Sequence, residues 1–145
     1  MAVESYLQAL AKDSSFDNAK LGIAHIYNFL GEYEKADRYA REIIKSKSEV
    51  FSVVGRILLS FGNQYKGNFN SVLKILDDGI AADELEGQTR IEYSAKFLLK
   101  GFIFNLTGQS EKAEAVIAKA RRIQIENNPD DPFPFTGEYA VTLAR

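Results

Sequence analysis

The stretch Leu21–Ile44, LGIAHIYNFLGEYEKADRYAREII, limits what this chain can fold into more than any other. Leu21, Ala24 and Tyr27 recur at helical spacing and Gly31 interrupts them. Tyr33, Ala36, Tyr39, Ala40, Ile43 and Ile44 then form a second apolar stripe. Glu32, Glu34, Lys35, Asp37, Arg38, Arg41 and Glu42 fall on the opposite, solvated face. A break of only a few residues makes two helices antiparallel neighbours. Small Ala24 and Ala36 let the two backbones approach, with Tyr27 and Tyr39 filling the space beside them. The stretch predicts a helical hairpin.

The hairpin is repeated. The opening AVESYLQALAKD places Val3, Tyr6, Leu7 and Leu10 on one helical face, and Ala40 falls about 34 residues beyond Tyr6. Ile43 and Ile44 fall the same distance beyond Ala9 and Leu10. A self-similar period of about 34 residues with a helix pair in each unit predicts a stacked helical array. Phe51, Val54, Ile57, Leu58 and Phe61 continue the pattern, followed by Phe69, Val72, Ile75, Leu76 and Ile80. Gly67 comes two residues late, which assigns the extra residues to the GNQYKGN connection, and the late Gly108 assigns a longer connection to ADELEGQTRIEY. Ser15 or Asp17 is the expected N-cap of the second helix.

These residues resemble the tetratricopeptide repeat (TPR) family. Ala24, Tyr27, Gly31, Tyr33 and Ala36 occupy its small, aromatic, glycine, aromatic and small positions, and Phe97, Gly101, Phe104, Gly108, Ala113 and Ala120 fit a later repeat. Ser14 and Ser48 stand where the family has a helix-stopping proline. The expectation is an all-α, TPR-like α-solenoid of antiparallel helix pairs with about seven helices. Residues 1–126 form the array: a half repeat at 2–16, then repeats at 17–50, 51–82 and about 88–126. The lone first helix reads as an N-terminal cap or as a sign that the chain is a piece of a longer array. Residues 127–145 form a tail that holds all three prolines, Pro129, Pro132 and Pro134. Its Phe133, Phe135, Tyr139 and Leu143 suit a C-terminal capping segment over 133–145.

Composition narrows the function classes. With 46% apolar residues in 145, the chain can bury a continuous core. No run approaches the ~18 apolar residues of a membrane span. A net charge of −2 offers no field for nucleic acid, and zero cysteines exclude disulfides and thiolate sites. The start has no basic region followed by an apolar one, so no signal peptide is read, and a cytoplasmic location is expected.

Catalytic patterns find little support. His25 is the only histidine, and between Ala24 and Ile26 it reads as a packing or ligand-contact residue rather than a base. No Ser-His-Asp or HExxH arrangement occurs, and the glycines of GNQYKGN lack the Lys-Ser or Lys-Thr of a phosphate loop. Asp77, Asp78, Asp83, Glu84 and Glu86 lack calcium-loop spacing and read as a solvated helix end. Lys119, Arg121 and Arg122 read as complementing a helix dipole. No enzyme, metal or cofactor is expected.

What remains is surface. By resemblance to the family, the first helix of each pair lines a concave face where peptides or partner helices bind. The implied inward positions are Asn18, Leu21, Gly22, His25, Asn28 and Phe29, then Ser52, Gly55, Arg56, Leu59 and Asn63, then Ala95, Leu98, Leu99, Phe102 and Asn105. All except Gly22, Ser52, Gly55, Ala95 and Leu99 are expected to contact a partner. Some family members clamp a C-terminal carboxylate there, but Leu21 stands where the first lysine is needed and Arg56 is the only basic residue. An amphipathic helix or apolar extended segment suits the face better. The competing reading puts Leu98, Leu99 and Phe102 in the core, since a helix packed on both sides is apolar all round. The expected function is a non-catalytic protein-interaction module for a protein or peptide partner. The alternative is a regulatory or self-association segment of a larger enzyme or signalling protein, and a homodimer through repeat ends or tail is a third reading.

Overall fold

A computed structural model describes residues 2–89 and 91–130. Among the described residues there are seven helices and no strand, as the sequence led us to expect. They are α1 (Ala2–Lys12), α2 (Asp17–Phe29), α3 (Tyr33–Ile44), α4 (Glu49–Tyr65), α5 (Phe69–Glu86), α6 (Ile91–Leu106) and α7 (Ser110–Asn127). The expected capping segment over 133–145 lies outside the described residues. The chain divides inside α5 into two compact units, Met1–Gly79 and Ile80–Arg145.

The turns within the helix pairs follow one design. Gly31 adopts φ +78°, a left-handed conformation that a side chain resists and glycine accepts. Its N–H donates to the Asn28 carbonyl (3.2 Å) and the next N–H, of Glu32, donates to the Tyr27 carbonyl (2.8 Å). Two carbonyls that a helix end would otherwise leave orphaned are satisfied within two residues. The same pair of bonds recurs at Gly67, Gly108 and also Gly87, which ends α5. The residues inserted in the later repeats therefore do not lengthen the connections as expected. Lys66–Asn68 is as short as Leu30–Glu32, and the extra residues extend α4 to Tyr65 and α5 to Glu86. Each residue kept in a helix keeps its backbone bond, which a longer loop would surrender.

In the first unit the core gathers Ile23, Ala24, Tyr39, Ala40, Ile43 and Leu58 from α2, α3 and α4. Ile23, Ile43 and Leu58 are essentially fully buried, each contributing about 2 kcal/mol of hydrophobic transfer. Ala24 and Ala36 are buried at the α2–α3 approach, and Tyr27 stacks on Tyr39 with ring centroids 6.1 Å apart. Helix α1 reaches α2 at Gly22, where an added Cβ would lie 2.6 Å from the Tyr6 ring. Helix α3 approaches α4 at Gly55, and the Ser52 hydroxyl donates to the Ile44 carbonyl (3.0 Å). In the second unit Ile80, Tyr93, Phe97, Ala120 and Ile123 form the core between α5, α6 and α7.

Neither expected N-cap caps α2. The N-cap position is Phe16, with no side-chain bond to the helix. The Ser15 N–H and hydroxyl both donate to the Asp13 carboxylate, at 2.9 and 2.6 Å. Asp17 is the first helical residue, and its carboxylate accepts from the Ser46 hydroxyl at the far end of α3 and from Lys20. Local and cross-hairpin donors outcompete the free N–H groups of the first turn.

Gly55→Ala tests the α3–α4 crossing. The new Cβ would lie 2.8 Å from the Ile44 backbone nitrogen and 3.0 Å from the Ala40 carbonyl oxygen, so α3 itself must move. We expect a loss of about 1–3 kcal/mol, read as a Tm lower by several degrees with helical circular dichroism retained. An unchanged melting curve would show that the two backbones do not approach there.

Candidate interaction surface

The residues singled out from the sequence divide by burial. On α2, Asn18, His25 and Phe29 are exposed, Leu21 is half-buried against the core, and Asn28 is buried. Phe29 is the most open of these at 84% exposed, with Leu30 beside it also largely in solvent. On α4, Leu59 and Asn63 are half-buried and Arg56 is buried. On α6, in the second unit, Leu98 and Asn105 are half-buried, whereas Phe102 is 48% exposed. Leu98 packs against the second core, in line with the core reading.

Three of the inward positions face a neighbouring helix instead. Gly22 lies beneath Tyr6 of α1, and Ser52 and Gly55 face α3. Their small size serves helix crossing, a requirement that a family pattern of small residues shares with an open groove.

His25 is the point where α2 and α4 meet on this surface. Its ring lies 5.8 Å from that of Phe61, tilted by 46°. This partial burial disfavours the charged imidazolium and pulls the His25 pKa below its usual 6.5. Among the described residues the ring's aromatic neighbour is apolar Phe61, and no carboxylate orients it as a general base would require. Asn28, one turn on, buries an amide whose nitrogen and oxygen find no hydrogen-bond partner among the described residues. Each such group costs about 1–3 kcal/mol.

The sequence also hid an open cleft of about 750 Å³ at the N-terminal ends of α2 and α4. Asp13, Asp17 and Glu42 share its walls with Lys20, Lys45 and Lys47, and Asn18 lies on its edge. Acids and lysines balance, so the cleft selects neither anion nor cation.

The acidic run is not uniformly solvated. Asp77, Asp78, Glu84 and Glu86 are exposed, but Asp83 is completely buried and pairs with equally buried Lys96 of α6. The Tyr93 hydroxyl donates to Glu84. Burial first, then that bond and the charges of Glu84 and Asp83, push the Tyr93 pKa up, so the phenol keeps its proton. Lys119, Arg121 and Arg122 do not occupy the last turn of α7, which runs on to Asn127. Lys119 instead sits 4.5 Å from the centre of the Phe97 ring and 3.8 Å from Glu84.

Among the described residues no group of three metal-ligating side chains comes together, and no helix is long and apolar enough to cross a membrane. No protein-family model matches the chain, nor does any curated protein or solved structure.

The His25 shift predicts a pH dependence of stability. The unfolded chain, with its histidine at 6.5, binds a proton that the folded state resists. The stabilising term is complete above pH 6.5 and is lost as pH falls through 6.5 towards the lower folded value. We expect Tm to drop between pH 7.5 and 5.5, and His25→Gln to remove part of that drop. Identical pH profiles for the two proteins would show that His25 is not desolvated in the folded state.

Proposed function

We propose that this protein is a non-catalytic interaction module of TPR-like helix pairs, which holds an apolar segment of a partner protein against the first helix of a pair, at Phe29 in the first unit and, separately, at Phe102 in the second. One observation carries the reading. Phe29 on α2 is largely in solvent and Phe102 on α6 is about half exposed, on helices whose other faces are packed into a core. Covering an exposed phenylalanine recovers about 1.5–3 kcal/mol of transfer free energy, which a partner's own apolar face can supply.

The polar groups on the same helices support an uncharged partner surface. Arg56 is buried, so the basic residue that a carboxylate-terminal ligand would need is not presented. Asn18 and His25 are open to solvent and provide hydrogen-bonding groups at the margin. Rigid helices joined by three-residue turns hold these side chains without ordering costs that a loop surface would incur.

Peptides selected from a displayed random library on the full chain test this reading. Their affinities are measured by calorimetry for the parent protein and for Phe29→Ala and Phe102→Ala. Buried aromatic anchors typically contribute about 2 kcal/mol or more, so at least one variant should lose tenfold or more in affinity. The melting temperature should stay close to the parent's, because neither ring is part of a core. Selected peptides that bind both variants as tightly as the parent would overturn the proposal.

A further inference from the structure

The fully buried pair of Asp83 and Lys96 is the feature of the second unit that hydrophobic burial does not explain. The Lys96 ammonium donates to an Asp83 carboxylate oxygen, and both side chains are 0% exposed. Taking two ions out of water is costly, and apolar residues of similar volume commonly serve stability as well or better. Asp83 is further disfavoured by its place. It lies in the last turn of α5, where the helix dipole presents its negative end. Net stability is therefore a poor reason for the pair.

Helix α6 supplies a better one. Its sequence IEYSAKFLLKGFIFNL is apolar nearly all round. Phe97 and Ile103 are buried while Phe102 and Leu106 are exposed, although all four are large hydrophobic residues. A rotation that exchanged them would bury apolar side chains of similar size, although it would also lift Gly101 from Ile117, so the large apolar residues by themselves leave the orientation of this helix weakly determined. Contrast α3, where a single apolar stripe set against charged residues permits one orientation only.

We propose that the Asp83–Lys96 pair fixes the rotation and register of α6 against α5. Any slip by a turn, or rotation by a residue, parts the two charges while leaving them in the interior, a penalty that alternative apolar contacts do not offset. The Tyr93–Glu84 bond reads the same alignment. Moving one residue forward along α5, from Asp83 to Glu84, moves the partner three residues back along α6, from Lys96 to Tyr93. That is the geometry of one antiparallel register.

Three variants of the full chain test this: Asp83→Asn, Lys96→Met, and the double replacement Asp83→Leu/Lys96→Met. Each single change leaves a buried charge without its opposite partner charge and should lower Tm by about 10 °C. The double replacement should recover Tm to within a few degrees of the parent and keep the helical circular dichroism. Its amide NMR resonances from α5, α6 and α7 should nevertheless broaden or double, and the near-ultraviolet signal of Tyr93 should weaken, because α6 then samples more than one rotation. A double variant with one sharp set of resonances would overturn the proposal. Single variants that melt as the parent does, or a double variant that fails to fold, would overturn it as well. The first of these would show that the pair is not coupled, and the second that it contributes stability rather than uniqueness.

Discussion

The left-handed glycine closure at helix ends is the constraint on which the rest of this chain depends. At Gly31, Gly67, Gly87 and Gly108 two successive N–H groups fold back onto the last carbonyls of the preceding helix. The chain is then free to begin a new helix within one or two residues in the first, second and fourth of these cases. The closure satisfies carbonyls at the end of one helix and not the N–H groups that open the next, and the N-caps of α2, α3, α4 and α7 show no side-chain bond to their helices. A Cβ at any of these glycines would meet no atom but would strain the backbone by about 1–2 kcal/mol. The reversal is thus encoded in main-chain geometry and not in contacts.

Close approach adds a second layer. Gly22, Gly55 and Gly101 sit on α2, α4 and α6, the first helices of their pairs, and each is pressed by a neighbouring helix through Tyr6, Ile44 or Ile117. The absence of a side chain lets a ridge on one helix drop onto the backbone of the next, which shortens the interaxial distance and tightens dispersion contacts around it. Helix reversal and helix crossing therefore draw on the same residue for different reasons. At turns glycine supplies a conformation, and at crossings it supplies space.

Both uses were partly legible in the sequence. Gly31, Gly67 and Gly108 announced themselves by interrupting apolar stripes, and the pairing of Tyr27 with Tyr39 followed from helical spacing alone. Gly87 did not stand out as a turn glycine, although the acidic run before it read as a helix end and α5 does end at Glu86. The same run concealed Asp83, since an aspartate among four other acids reads as solvent-exposed on composition, whereas its ion-pair partner Lys96 lies on another helix, which composition does not reveal. Gly22 and Gly55 were legible as small residues on a first helix but not as crossings, since small size fits a groove and a contact equally well. Sequence periodicity reports the face a residue occupies. It does not report which neighbour covers that face.

Each unit sets a few exceptions beside its apolar core, with polar groups inside and apolar ones in solvent, and these bear on how the proposed surface would discriminate between partners. In the first unit Arg56 and Asn28 are withdrawn while Phe29 and Leu30 remain in solvent. In the second unit Lys96 is withdrawn while Phe102 and Leu106 remain. Charge placed inside acts on the protein's own helices, where low dielectric and fixed geometry make each misalignment expensive. Apolar groups left outside would, under the proposed function, act on a partner, where the favourable term scales with area and is insensitive to direction. Specificity on the proposed surface would come from how each exposed aromatic is held on its own helix and not from complementary charge. That places the burden on the helices staying in one register. The buried ions of the second unit would therefore serve recognition indirectly, by holding the α6 aromatic where a partner can find it.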